Sequence, residues 1–202
     1  MLDKDAVTEA VREQYEVFPY PPLGYATPLS KGLSSVSSYI LGQYARIHHF
    51  CDVKGKRILV AGCGTGSELQ VTAFTNPQAA EIIGFDLSQP SISQAKDFIK
   101  QHGLSNCKAQ FGNLLDPETI PPGQFDMIVA YGVLHHTADP VQALKNLASH
   151  LAPDGVMGIM LYNQAGRWPL YQIREAVELL GIHNHPRLEA LTFYPEFVTQ
   201  CL

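Results

Sequence analysis

Beyond residue 55 the chain alternates between two hydrophobic rhythms. Unbroken apolar runs at 57–61 (RILVA), 81–86 (EIIGFD), 125–131 (FDMIVAY) and 156–162 (VMGIMLY) have the length and branched content of strands buried on both faces. A shorter run near Lys108–Phe111 reads as one more strand. Between the runs, apolar residues return every three or four positions, as helices do. One helix spans about Ser67–Thr75. Another is capped by Ser88, carries Pro90 in its first turn and stops at Gly103. Asp139-Pro140 repeats that start signal, with Val141, Leu144, Leu147, Ala148 and Leu151 on one face. Asp154-Gly155 is expected to turn the chain into the fifth strand, and a last helix runs from about Arg167 to Leu180. This alternation predicts an α/β fold: five parallel strands with helices on both faces.

Before residue 55 the rhythm differs. Asp3–Val17 reads as a helix with Asp3 as its N-cap. Pro19, Pro21, Pro22 and Pro28 then predict extended chain. A second helix is expected over about Ser35–Phe50, with Val36, Tyr39, Ile40, Tyr44, Ile47 and Phe50 on its apolar face. The chain thus divides into an N-terminal helical and Pro-rich lid segment, 1–50, and an α/β domain, 51–202.

Composition narrows the function classes. Of the 202 residues 46% are hydrophobic and only 16% charged, which excludes a disordered chain or a coiled coil. Net charge is −5 and no run of Lys or Arg occurs, so no nucleic-acid partner is expected. The four cysteines, at 51, 63, 107 and 201, form no C-x-x-C pair. They read as reduced thiols of a cytoplasmic protein without a metal site. The N-terminus is acidic and polar, unlike a signal peptide, and no apolar run is long enough to span a bilayer.

The most informative residues follow the first strand. Gly62-Cys63-Gly64-Thr65-Gly66 places a glycine turn before a helix N-terminus, where backbone approaches a ligand closely. The dinucleotide fingerprint would put its third glycine at 67, which is Ser. A plain tight turn is the alternative. Asp86 ends the second strand, where an acid can accept hydrogen bonds from ribose hydroxyls; an N-cap or surface carboxylate is the competing reading.

With these residues in place, the sequence resembles the class I S-adenosylmethionine-dependent methyltransferases. ILVAGCGTG, GFDLS, FGNLLD (111–116), FDMIVAYGVLHHTADP (125–140) and LAPDGVMGIMLYN (151–163) match the family's motifs in order. The N-terminal EQYEVFPYPP and LYNQAGRWPLYQIREAV are similar to a bacterial subgroup sometimes fused to tetratricopeptide repeats. The resemblance implies a Rossmann-like doubly wound sheet with S-adenosylmethionine as cofactor, S-adenosylhomocysteine as product, and no metal. It implies cofactor contacts from Gly62, Cys63, Gly64, Gly66, Asp86, Leu87, Asn113, Leu114, Tyr131 and Gly132. Two positions depart from the pattern. Val60 stands where the family often has an acid for the cofactor's ammonium, and backbone carbonyls near Tyr131 and Gly132 are the expected substitute. Asn113 stands where Asp is common and is expected to accept from the adenine amino group through its amide oxygen.

His135 or His136 is a candidate general base, against a structural role in the loop. Tyr15, Tyr20 and Tyr25 are candidates to cover the acceptor, and Arg167, Tyr171 and Arg174 to clamp an anionic group on it, against ordinary packing and a solvated helix face. The expected acceptor is a small molecule. A cofactor-binding partner subunit without catalysis is the alternative, and an NAD-dependent oxidoreductase a distant third. The family's C-terminal hairpin is expected to be incomplete, with at most one further strand from Leu191–Thr199. The open sheet edge would then favour a homodimer.

Overall fold

A computed structural model describes residues 3–21 and 37–179. Its elements are α1 (Lys4–Val17), α2 (Tyr39–Ile47), β1 (Arg57–Ala61), α3 (Ser67–Thr75), β2 (Glu81–Asp86), α4 (Gln89–Gln101), β3 (Cys107–Phe111), β4 (Phe125–Tyr131), α5 (Pro140–Ser149), β5 (Leu151–Met160) and α6 (Trp168–Leu179). The five strands are all parallel, in the order β3-β2-β1-β4-β5. The chain first builds outward from β1 to β3, then returns to place β4 on the other side of β1. That reversal opens a crevice at the C-terminal ends of β1 and β4, where such sheets bind ligands. Residues 1–161 form one compact unit and 162–202 a second, which contains α6. Among the described residues no helix is long and apolar enough to cross a membrane.

Alternate residues of each strand feed two cores. Ile58, Val60, Ile82, Met127 and Val129 pack with Leu69 and Ala73 of α3 and Ile92 and Ala95 of α4. Leu59, Ala61, Ile83, Phe85, Ile128 and Ala130 pack with Ala143 and Leu147 of α5. The sheet is therefore covered on both faces, as its unbroken apolar strands require.

Two helices present faces other than the expected ones. On α2 the buried residues are Tyr39 and Gln43, while Tyr44, Ile47 and Phe50 are exposed. Polar anchors set this phase. Gln43 Nε2 donates to the Asp154 carbonyl at 2.7 Å, and the Tyr39 amide donates to Asn76 Oδ1 at 2.8 Å. On α5 the buried residues are Ala143, Asn146 and Leu147, whereas Val141, Leu144 and Ala148 are exposed. Here Asn146 Nδ2 donates to the Leu114 carbonyl at 2.8 Å and turns the helix.

The fifth strand also differs. It begins at Leu151, and Leu161 and Tyr162 lie beyond its end. A register shift between the Phe125–Leu151 and Met127–Val156 pairs absorbs Asp154-Gly155 within the strand, so this dipeptide is part of an irregularity and not the turn before β5. β5 is the last strand on its side of the described sheet, and Ile159 and Met160 near its end are exposed. The expected strand at 191–199 lies outside the described residues.

Asn76, fully buried at the end of α3, joins three segments. It accepts from the Tyr39 amide and donates from Nδ2 to the carbonyls of Ser37 (2.7 Å) and Thr72 (2.9 Å). Asn76→Ala strands buried backbone groups and is expected to lower stability by about 2–3 kcal/mol. Urea unfolding checks this, with a lower midpoint at unchanged m.

Candidate functional site

The glycine turn after β1 is held by its own chain. Gly62, Gly64 and Gly66 have φ of 67°, 51° and 106°, which only glycine adopts readily. A side chain at Gly62 would overlap Val133, and one at Gly64 would overlap the Tyr20 carbonyl oxygen. The amides of Gly62 and Cys63 donate to the Phe85 carbonyl, Gly64 to Asp86 Oδ2, Thr65 to the Tyr20 carbonyl and Gly66 to the Cys63 carbonyl. The Cys63 thiol points into the core. With Leu69 it fills the space beside Gly84, where a Cβ would lie 2.8–2.9 Å from both side chains, and burial pushes its pKa up. Burial therefore keeps the Cys63 thiol inert, and both its amide and its carbonyl are used within the chain.

Asp86 and Leu87 follow β2. Asp86 accepts from the Gly64 amide and the Ser88 amide, both at 2.9 Å, one on each carboxylate oxygen. Burial raises its pKa, and the three backbone amides of Ser88, Gly64 and Leu87 work against that. Each oxygen keeps further lone-pair capacity for hydroxyl donors. Asn113 lies one strand further out, two residues past the Asp86–Phe111 pair of β2 and β3. Its Oδ1 accepts from the Leu115 amide at 2.9 Å. An amide N–H must meet the oxygen, so this bond fixes the side-chain orientation and occupies one lone pair of the atom expected to receive adenine. The Leu114 side chain is buried in the α5-side core.

Tyr131 and Gly132 close β4. The Gly132 amide, at φ 70°, donates to the Met160 carbonyl at 3.1 Å, and the Tyr131 ring lies against Gly158. Burial first, and then the charge of Glu68, raises the Tyr131 pKa. His135 and His136 sit on a 3-10 turn (Leu134–His136) with ring centroids 4.3 Å apart, and the Tyr15 ring meets His136 edge-on at 6.2 Å.

The N-terminal segment crosses these strand ends. Ser88 Oγ caps α4 by accepting from the Ser91 amide, and donates to the Tyr15 carbonyl at 3.0 Å. Near the start of α1, Lys4 pairs with Asp139, the N-cap of α5, at 2.7 Å. Helix α1 is thus fastened to α4, which packs on one face of the sheet, and to α5, which packs on the other. Beyond it, Thr65 donates its amide to the Tyr20 carbonyl and its hydroxyl to the Pro21 carbonyl at 2.6 Å.

The structure therefore brings the turn, Asp86, Leu87, Asn113, Leu114, Tyr131, Gly132, the histidine pair, Tyr15 and Tyr20 to one end of the sheet. Tyr25 lies outside the described residues. Arg167, Tyr171 and Arg174 belong to the second compact unit. Within it the Arg167 guanidinium stacks on the Tyr162 ring at 3.1 Å, and Arg174 pairs with Glu178.

Three roles at this end were not anticipated: Thr65 as the tie to Tyr20 and Pro21, Ser88 as the tie to α1, and Glu68. Glu68 follows the turn in the first turn of α3. It accepts from Ser37 Oγ at 2.6 Å and from Thr72 Oγ1 at 3.5 Å, and burial raises its pKa. Its partner Ser37 lies 31 residues upstream, so no local pattern marks it.

Residues 59–157 match the model of a methyltransferase domain family. An uncharacterised protein of Synechococcus sp. is 36% identical over 87% of this chain and 42% of its own length. A ubiquinone biosynthesis O-methyltransferase of Neisseria meningitidis is 25% identical over 64% of this chain and 53% of its own. Among solved structures, PKMT2 from Rickettsia typhi in complex with AdoHcy superposes with a TM-score of 0.58 at 25% identity, covering 80% of this chain and 32% of that one. The chain spans about half the length of the curated relatives it matches.

Glu68 generates a pH prediction. A carboxyl raised on folding destabilises the fold when ionised. That cost is absent below the unfolded value of about 4.3 and fully present above the folded value. E68Q keeps an acceptor for Ser37 and removes the charge. In thermal melts of ligand-free protein, the difference between E68Q and wild type should shift in favour of E68Q from pH about 4 to pH about 8. A constant difference would show that ionising Glu68 costs the fold nothing.

Proposed function

We propose that this chain, which belongs to the class I S-adenosylmethionine-dependent methyltransferases, binds S-adenosylmethionine at the C-terminal ends of β1 to β4 and transfers its methyl group to a small-molecule acceptor. One observation carries this reading. Every amide from Gly62 to Gly66 is spent within the chain, while Asp86 beside them keeps acceptor capacity. A pyrophosphate needs free backbone donors at such a turn. A ribose needs an acceptor for its hydroxyls, and a cationic ligand needs acidic surroundings. The donor set fits the second ligand and disfavours a dinucleotide.

In this reading the Gly62–Gly66 turn lets the amino-acid end of the cofactor lie against backbone, near the carbonyls of Tyr131 and Gly132. Asp86 accepts from the ribose hydroxyls, and Leu87, Asn113 and Leu114 border the base. The bound sulfonium supplies the leaving group, so the protein's part is to align methyl and acceptor and to exclude water. Helix α1 and Tyr20-Pro21 serve as the roof, and Tyr15 faces the acceptor beside His136. Where the acceptor carries a proton, one ring of the His135–His136 pair takes it at a ring nitrogen. The net charge of −5 supports an acceptor other than nucleic acid.

Calorimetry with S-adenosylmethionine, S-adenosylhomocysteine and NAD tests the reading; binding of the first two and no heat with NAD is expected. Screening labelled-methyl transfer across a metabolite library separates catalysis from binding without turnover. Asp86→Ala is expected to weaken S-adenosylhomocysteine at least tenfold, the equivalent of losing charge-assisted bonds worth about 1.5–3 kcal/mol. Unchanged affinity would remove Asp86 from the site.

A further inference from the structure

We infer that Glu68 is the carboxylate that binds the positively charged amino group of the cofactor, supplying from α3 the charge that β1 lacks at position 60. The inference rests on the proposed cofactor, and three observations carry it.

The first is the pairing of acids at the two ends of the sheet. At the N-terminal end of the strands every partly buried acid among the described residues has a cation: Asp126 pairs with Lys56 at 2.9 Å, and Glu81 with Arg57 at 2.9 Å and Lys108 at 2.7 Å. At the C-terminal end Asp139 pairs with Lys4, but among the described residues Asp86 and Glu68 accept only from neutral donors, namely backbone amides and the hydroxyls of Ser37 and Thr72. Among the described residues neither has a Lys, Arg or His within ion-pair distance. Carboxylates taken out of water are ordinarily paired with a cation. Asp86 lies where ribose hydroxyls satisfy it, which leaves Glu68 as the acid awaiting a positive charge.

The second is placement. Val60 is fully buried and faces the core shared by α3 and α4. Helix α3 packs on that same face, and the Tyr131 side chain packs against the same cluster from the end of β4. Glu68 therefore stands on the side of the sheet that an acid at position 60 would occupy. It lies close enough to the β1–β4 crevice for its charge to act on Tyr131.

The third is preorganisation. Ser37 and Thr72 donate to the same oxygen, Oε1, at 2.6 and 3.5 Å. Ser37 is fixed in turn, because its carbonyl accepts from the fully buried Asn76. One carboxylate oxygen is held and the other remains to meet the ligand, so little side-chain freedom is lost on binding.

The test crosses one protein change with one ligand change. Binding of S-adenosylhomocysteine and of its analogue with the amino group replaced by hydrogen is measured by calorimetry for wild type and E68Q, with circular dichroism confirming the fold of each. Wild type should lose about tenfold or more in affinity when the amino group is removed. E68Q should lose a similar factor for S-adenosylhomocysteine, yet bind the analogue within about twofold of wild type. E68D, which keeps the charge on a shorter stem, should retain part of the discrimination. Equal weakening of both ligands by E68Q, or no weakening of either, overturns the role of Glu68 while leaving the cofactor in place. Failure of wild type to bind either ligand overturns the cofactor reading itself, and this inference with it.

Discussion

Asp86 makes the interaction on which the C-terminal end of the sheet depends. Its two oxygens join the glycine turn after β1 to the start of α4 after β2, through the amides of Gly64 and Ser88. Ser88 then extends the connection, capping α4 and holding the last turn of α1 through the Tyr15 carbonyl. One partly buried carboxylate thus fixes the turn, a helix terminus and, at one remove, the segment that crosses these strand ends. The raised pKa of Asp86 reflects what this arrangement costs: desolvation outweighs three favourable amide contacts. Such a cost is tolerated where a ligand supplies further donors.

The distribution of charge follows the same logic. A parallel sheet has two unlike ends. At the N-terminal ends of the strands, acids and bases neutralise each other in pairs that are partly exposed and worth little individually. At the other, Asp86 and Glu68 are partly buried and have no cation among the described residues. Desolvation raises the pKa of both, a cost that a cationic ligand would relieve in the proposed reading.

Much of this was legible in the sequence. The sheet, the turn and Asp86 were readable because they depend on local signals: unbroken apolar runs, glycines where a strand meets a helix, an acid at a strand end. The phases of α2 and α5 were not. Tyr44, Ile47 and Phe50 look like a core stripe, but the helix turns toward Gln43 because the Asp154 carbonyl, more than a hundred residues away, needs a donor. Asn146 overrides Leu144 and Val141 for the same reason, to reach the Leu114 carbonyl. Glu68 escaped notice because a glutamate in the first turn of a helix is ordinarily a solvated residue that complements the helix dipole. In the fold Ser37 returns onto it and it is partly buried. Hydrophobic periodicity reports where apolar surface can go, and says nothing of which distant backbone group must be satisfied.

The slot beside Gly84 has a mechanical consequence. Cys63 and Leu69 leave no room there for a Cβ, so the backbone of the glycine turn is wedged against the second strand by a side chain of the turn itself. The turn has no room to sink toward the sheet when a ligand arrives, and lifting it would open a void that the close-packed interior disfavours. Whatever adjustment accompanies ligand entry must then be made from above, by the segment around Tyr20 and Pro21 that rests on Thr65 through two hydrogen bonds. In the proposed reading the floor of the site is then a fixed template and its ceiling the adaptable part. Differences in what related chains accept would then be written into the residues that form the ceiling.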